Sequence, residues 1–160
     1  MRCPSPPTGE AAALYDLIMA YRADNGLPSI PLSRSLTIVA QTHVEDLIAY
    51  RSEVLVGTCN LHSWSNHGPW QGCCYTPDHA QASCMWNKPR ELTVYTGDGY
   101  EISASGVSQA QSALNLWKNS SGHNAVILNQ GSWSTPWKAI GIGMGGGYAH
   151  VWFGRNVDPG

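Results

Sequence analysis

Residues 117–129 read Trp117-Lys118-Asn119-Ser120-Ser121-Gly122-His123-Asn124-Ala125-Val126-Ile127-Leu128-Asn129, and the break inside this run organises the rest of the chain. Upstream, Ser108 and Gln111 form a capping-box pattern ahead of Ala110, Leu114 and Trp117, so a helix is predicted to run up to the break. A second, short helix is predicted over Gly122 to Leu128, ending at Asn129. Beyond it the period changes from helical to alternating. Ala139-Ile140-Gly141-Ile142-Gly143-Met144 and Tyr148-Ala149-His150-Val151-Trp152-Phe153, joined through Gly145-Gly146-Gly147, read as the two strands of an antiparallel hairpin.

Toward the N-terminus two longer helices are predicted. Thr8 is a plausible N-cap for a run in which Leu14, Leu17, Ile18 and Tyr21 recur at helical spacing, until Asn25-Gly26 supplies a stop. Pro28 and Pro31 then make an extended connector. Ser33 caps a second amphipathic run with Leu36, Val39, Ala40, His43, Val44, Leu47 and Ile48 on one face. From about residue 52 to 100 periodicity fades, and Gly, Pro, Asn, Trp and Cys dominate a stretch far longer than an ordinary connection. Helices early and strands late imply an α+β domain, and nothing repeats at a fixed period. The expected division is a flexible segment at 1–9, one domain at 10–155 with a Cys/Trp-rich insert at about 52–100, and a tail at 156–160.

Only 12% of the 160 residues are charged and the net charge is −2, so the chain lacks the clustered Lys and Arg that nucleic acid or an anionic membrane requires. No apolar run is long enough to span a bilayer. Of the five cysteines, Cys59, Cys73, Cys74 and Cys84 fall in the insert, at spacings that match neither a zinc knuckle nor a redox CxxC. Disulfides are the better reading. Adjacent Cys73 and Cys74 should bond to different partners, which leaves several pairings open, with Cys3 the candidate for the odd thiol. Bridges persist in oxidising compartments, so the expectation is a periplasmic, cell-surface or extracellular protein. Met1 to Pro7 carry no apolar leader core, which fits a leader already removed.

Taken together these elements resemble the CAP superfamily of cysteine-rich secretory proteins, venom antigens and plant pathogenesis-related proteins, in its bacterial branch. The 117–129 run is similar to that branch's pattern W-x-x-S-P-G-H-R-x-x-I-L-N. Support comes from Tyr21 to Pro28 in place of an R-x-x-x-G-L-P-P-L connector, from Ala40 and His43 as A-x-x-H, and from Leu61-His62-Ser63. The closing Ile140-Gly141-Ile142-Gly143 and Trp152-Phe153-Gly154 also match. The resemblance implies a three-layer α-β-α sandwich with a central antiparallel sheet and a polar cleft. It places His62 and His123 as the cleft's two histidines and Glu101 as one of its glutamates. Ser120 holds the position of the second glutamate, and Tyr100 and Ile102 degrade the motif around Glu101.

Two neutral imidazoles can ligate a divalent ion such as zinc, with a carboxylate as third ligand or water anchor. The metal candidates are therefore His62 and His123, joined by Glu101, and the same three are the catalytic candidates. His43 is expected to be a satisfied core histidine, and His67, His79 and His150 to face solvent or pack in loops. Trp64, Trp70 and Trp86, with Tyr75, could form an aromatic platform for a sugar, lipid chain or protein. Binding is expected rather than turnover, since one obvious carboxylate is missing. The alternatives are a peptidase or esterase using metal-activated water or His/Glu chemistry, and a sterol or fatty-acid carrier. Partners would be a small ligand, lipid, glycan or protein at the cell exterior. No nucleotide, flavin or haem motif occurs, because Gly145-Gly146-Gly147 joins strands rather than opening a helix.

Overall fold

A computed structural model describes residues 7–160. The elements run α1 (Gly9–Asp24), α2 (Arg34–Val54), α3 (Ala82–Leu92), β1 (Gly99–Ser105), α4 (Ala110–Lys118), α5 (Ser121–Ile127), a 3₁₀ turn (Gly131–Trp133), β2 (Ala139–Gly145) and β3 (Tyr148–Gly154). The three strands form one antiparallel sheet in the order β1-β3-β2. The β2–β3 hairpin closes through Gly146 and Gly147, both at positive φ, as a two-residue turn of matching twist demands.

Helices cover both faces of the sheet. Leu14 and Ile18 of α1, Leu114 and Trp117 of α4, and Ile127 of α5 share a core with Ile102, Ile142, Val151 and Phe153. On the other face α2 lies directly on β2. A methyl group added at Gly141 would meet the backbone of Leu36 at 2.1 Å, so the two glycines, Gly141 and Gly143, let helix and strand approach to backbone contact. Leu36, Val39 and Ala40 pack there with Trp64, Tyr95 and Trp152. The result is the α-β-α sandwich expected above.

Several local signals act as expected. Ser33 Oγ accepts from Leu36 N at 2.9 Å and caps α2. Asn129 adopts positive φ after α5, and Gly26 does so after α1. Buried Arg22 then joins these two helix ends, donating from Nη1 to Ile127 O at 2.6 Å and to Asn129 Oδ1 at 2.8 Å. Other signals are overridden. The Ser108–Gln111 capping box does not form, because α4 begins at Ala110, whose N–H is taken by Glu10 Oε2 of α1 at 2.6 Å. Helix α3 lies inside the stretch read as aperiodic. The C-terminal residues are tied down, with Asp158 accepting from Ser33 Oγ, Ser35 N and Ser35 Oγ. The disulfides are Cys59–Cys74 and Cys73–Cys84, while Cys3 lies outside the described residues. Among the described residues, no helix is long and apolar enough to cross a membrane.

Candidate functional site

Strand register brings the polar groups together. Glu101 pairs with Trp152 and Ser103 with His150 across β1 and β3, so all four side chains point to the face covered by α2. From α2, His43 reaches the same spot, and the insert lowers His62 over it.

Glu101 is the hub, its side chain fully buried. Oε1 accepts from His62 Nδ1 at 2.7 Å, and Oε2 lies 2.5 Å from His43 Nδ1 and 3.0 Å from His150 Nδ1. Each distance fixes a proton. His43 Nε2 must carry hydrogen to donate to Ser63 O at 2.8 Å, and Nδ1 and Oε2 must share a second proton, because two lone pairs would repel at that separation. His62 spends its Nδ1 proton on Glu101, so its lone pair is on Nε2. Its side chain is 18% exposed. Burial alone would push the Glu101 carboxyl up, but the His43 and His150 imidazoles facing Oε2 outweigh it and hold the group well below the usual carboxylate range. Burial pushes His150 down to about 4 against the upward pull of Glu101.

His150 is thus not the solvent-facing or loop residue expected from sequence. It is fully buried in β3, hydrogen-bonded at Nδ1 to Ser103 Oγ (2.9 Å), and stacked at 4.3 Å on His43, whose other face stacks on Trp64 at 4.0 Å. The alternation of β3 puts it two residues from inward-facing Trp152, and that pattern was available in the sequence. His43 is the satisfied core histidine expected. His67 and His79 are exposed, His67 paired with Glu53 at 2.7 Å.

Above the hub opens a cavity of about 480 Å³. His62, Glu101, Ser120 and His123 line its polar side, and Met85, Trp86, Ile102, Val126 and Trp133 its apolar side. His123 stands on α5 with Nδ1 2.9 Å from Ser120 Oγ, so the serine in place of a glutamate orients the imidazole. Burial, aided by nearby His62, pushes His123 down, which keeps it neutral at neutral pH. Of the four aromatics expected to form a platform, Trp86 (39% exposed) and buried Tyr75 line this cavity. Trp64 is buried against His43, and half-buried Trp70 packs edge-on to Trp64 at 5.2 Å, away from the cavity lining. Ser63 is buried and its Oγ accepts from Tyr75 N at 2.8 Å, so it is spoken for as a structural group.

By spacing alone, His43, Glu101 and His150 could hold a metal ion, since one ligand atom from each lies within 4.8 Å of the others. Their hydrogen bonds already occupy His43 at both nitrogens and His150 at Nδ1. The nitrogen left over is His150 Nε2, buried and without a hydrogen-bond partner among the described residues.

The family model for cysteine-rich secretory proteins, CAP, matches residues 15–148. Comparison with curated proteins finds no match. Among solved structures, a cysteine-rich secretory protein from Staphylococcus aureus superposes with TM-score 0.58 at 16% identity, over 92% of this chain and 38% of its own. An extracellular protein containing an SCP domain from Bacillus anthracis gives 0.61 at 20%, over 95% and 45%. An outer surface protein from Borrelia burgdorferi gives 0.61 at 19%, over 92% of both chains. The chain therefore spans less than half the length of the first two, and at these identities the likeness shows the fold.

Proposed function

We propose, from the premise that this chain belongs to the cysteine-rich secretory protein family, that it is an exported binding domain whose cleft takes a divalent cation, zinc foremost, between His62 and His123. The observation that carries this reading is the matched state of the two imidazoles. Each has Nδ1 engaged, by Glu101 and by Ser120, and each keeps Nε2 for a ligand in one cavity. A carboxylate behind a ligating histidine fixes its tautomer and raises its basicity, an arrangement common behind zinc-binding histidines. His43 and His150 serve as a brace for Glu101. Support for export comes from the two disulfides and from the solved relatives described as extracellular and outer surface proteins.

Titrating zinc into metal-free protein by calorimetry tests the reading. Wild type should take one ion per chain, and His62→Ala with His123→Ala together should abolish the heat. Heat of unchanged size in the double variant would rule out this pair as the site.

The Glu101–His62 hydrogen bond also favours a second reading, in which His62 acts as a general base toward a peptide or ester held on the apolar wall. It requires turnover of a peptide or ester library that disappears in His62→Ala. A sterol or fatty acid would use the same wall, and mass spectrometry of a lipid extract of the purified protein would reveal it.

A further inference from the structure

The two disulfides differ in what surrounds them. Cys84 sits in the first turn of α3, at the positive end of the helix dipole, which favours negative charge. One turn on, the fully buried Lys88 places Nζ 3.4 Å from Cys84 Sγ and 3.1 Å from Cys84 O. Glu91 Oε2 holds the same ammonium at 2.9 Å. Among the described residues, neither Cys59 nor Cys74 has a basic side chain in hydrogen-bond contact with its sulfur. A polar cavity of about 610 Å³ opens against the Cys73–Cys84 bridge, lined also by Gln71, Gln81, Asn87 and Arg90. Cys73 is half-buried there, whereas Cys84 is only 8% exposed.

We propose that Cys73–Cys84 is a thiol-exchange site that accepts a small thiol of the glutathione class on Cys73. The thiolate RS⁻, its proton given to solvent, attacks Cys73 Sγ from the polar cavity. The RS–Sγ bond to Cys73 forms as the Cys73–Cys84 bond breaks, and the electron pair leaves on Cys84 as a thiolate beside the Lys88 ammonium. A second thiolate then attacks the mixed disulfide, releasing RSSR and a Cys73 thiolate, so two thiols are oxidised and one protein disulfide is reduced. A thiol of lowered pKa is the better leaving group, and both the helix start and an adjacent lysine lower it. The bridge ties the loop around Cys73 to α3, which carries Ala82, Met85 and Trp86 of the cavity at His62 and His123, so its opening loosens that wall.

Exposure alone ranks the bridges in the opposite order, because Cys74 is exposed, and the two ideas therefore separate cleanly. The full chain, its free thiols first alkylated, is treated with limiting reduced glutathione at neutral pH, quenched with a second alkylating agent and mapped by peptide mass spectrometry. The expected first product carries glutathione on Cys73 and the second label on Cys84, with Cys59–Cys74 intact. Lys88→Met should slow this opening about tenfold, because the electron pair then leaves without an ammonium beside it. A variant that merely loses its fold would open both bridges faster, opposite to the slowing expected for Lys88→Met. Prior opening of Cys59–Cys74, glutathione on Cys84, or an unchanged or faster rate in Lys88→Met would each overturn the assignment.

Discussion

Glu101→Ala is expected to lower the unfolding free energy by about 3–5 kcal/mol, the cost typical of removing one partner from a buried charged network. The reason is arithmetic of donors. One carboxylate faces the Nδ1 atoms of His43, His62 and His150, two of these residues fully buried, and alanine leaves all three nitrogens without that partner. His43 would lose the proton partner that lets it face Ser63 O and the hub at once. Urea unfolding followed by tryptophan fluorescence gives the value directly. A loss below about 1 kcal/mol, the size of an ordinary hydrogen bond, would mean that Glu101 is not the hub.

Acidification should destabilise the protein before ordinary carboxylates titrate. His150 has its folded-state pKa pushed down to about 4 from 6.5, so between those values the unfolded chain binds a proton that the folded chain refuses. Its contribution is present in full above 6.5 and is lost as pH falls toward 4, a change of about 3 kcal/mol for a shift of this size. Glu101, whose folded pKa is depressed, adds loss of the same sign below the usual carboxylate range. Thermal unfolding followed from neutral pH down to about 4 should show Tm falling throughout, and His150→Asn should flatten the upper part of that fall. A flat wild-type profile across the window would contradict a buried neutral His150.

Much of this architecture could be read from periodicity. Helices α1 and α2, the short α5 and the β2–β3 hairpin each satisfy their own local pattern, and Ser33, Asn129 and the paired glycines do what their chemistry predicts. The failures lie where distant residues decide. Helix α3 is short and polar, carries Pro89 inside it, and is held by a disulfide and by its contacts with β1, none of which leaves an 11-residue apolar stripe to detect. The start of α4 is capped by Glu10 from a hundred residues away rather than by its own Ser108.

The site divides in the same way. His62, His123 and Glu101 were legible through motif resemblance, and they do line one cavity. His150 escapes the motif reading because no family pattern marks it, although its register opposite Ser103 follows from the pairing of β1 with β3. The Trp-rich insert was the least predictable part. Its rings divide between the core beside His43 and the cavity wall, a partition that depends on two crosslinks whose pairing sequence leaves open.

The central claim is that the outer pair, His62 and His123, receives the metal while His43, Glu101 and His150 form a proton-sharing brace beneath it. Anomalous diffraction at the zinc edge from crystals soaked in zinc tests it most directly. The account predicts one strong peak in the cavity, in contact with Nε2 of both His62 and His123. A peak among His43, Glu101 and His150 instead, or no peak at either place at saturating zinc, would contradict it.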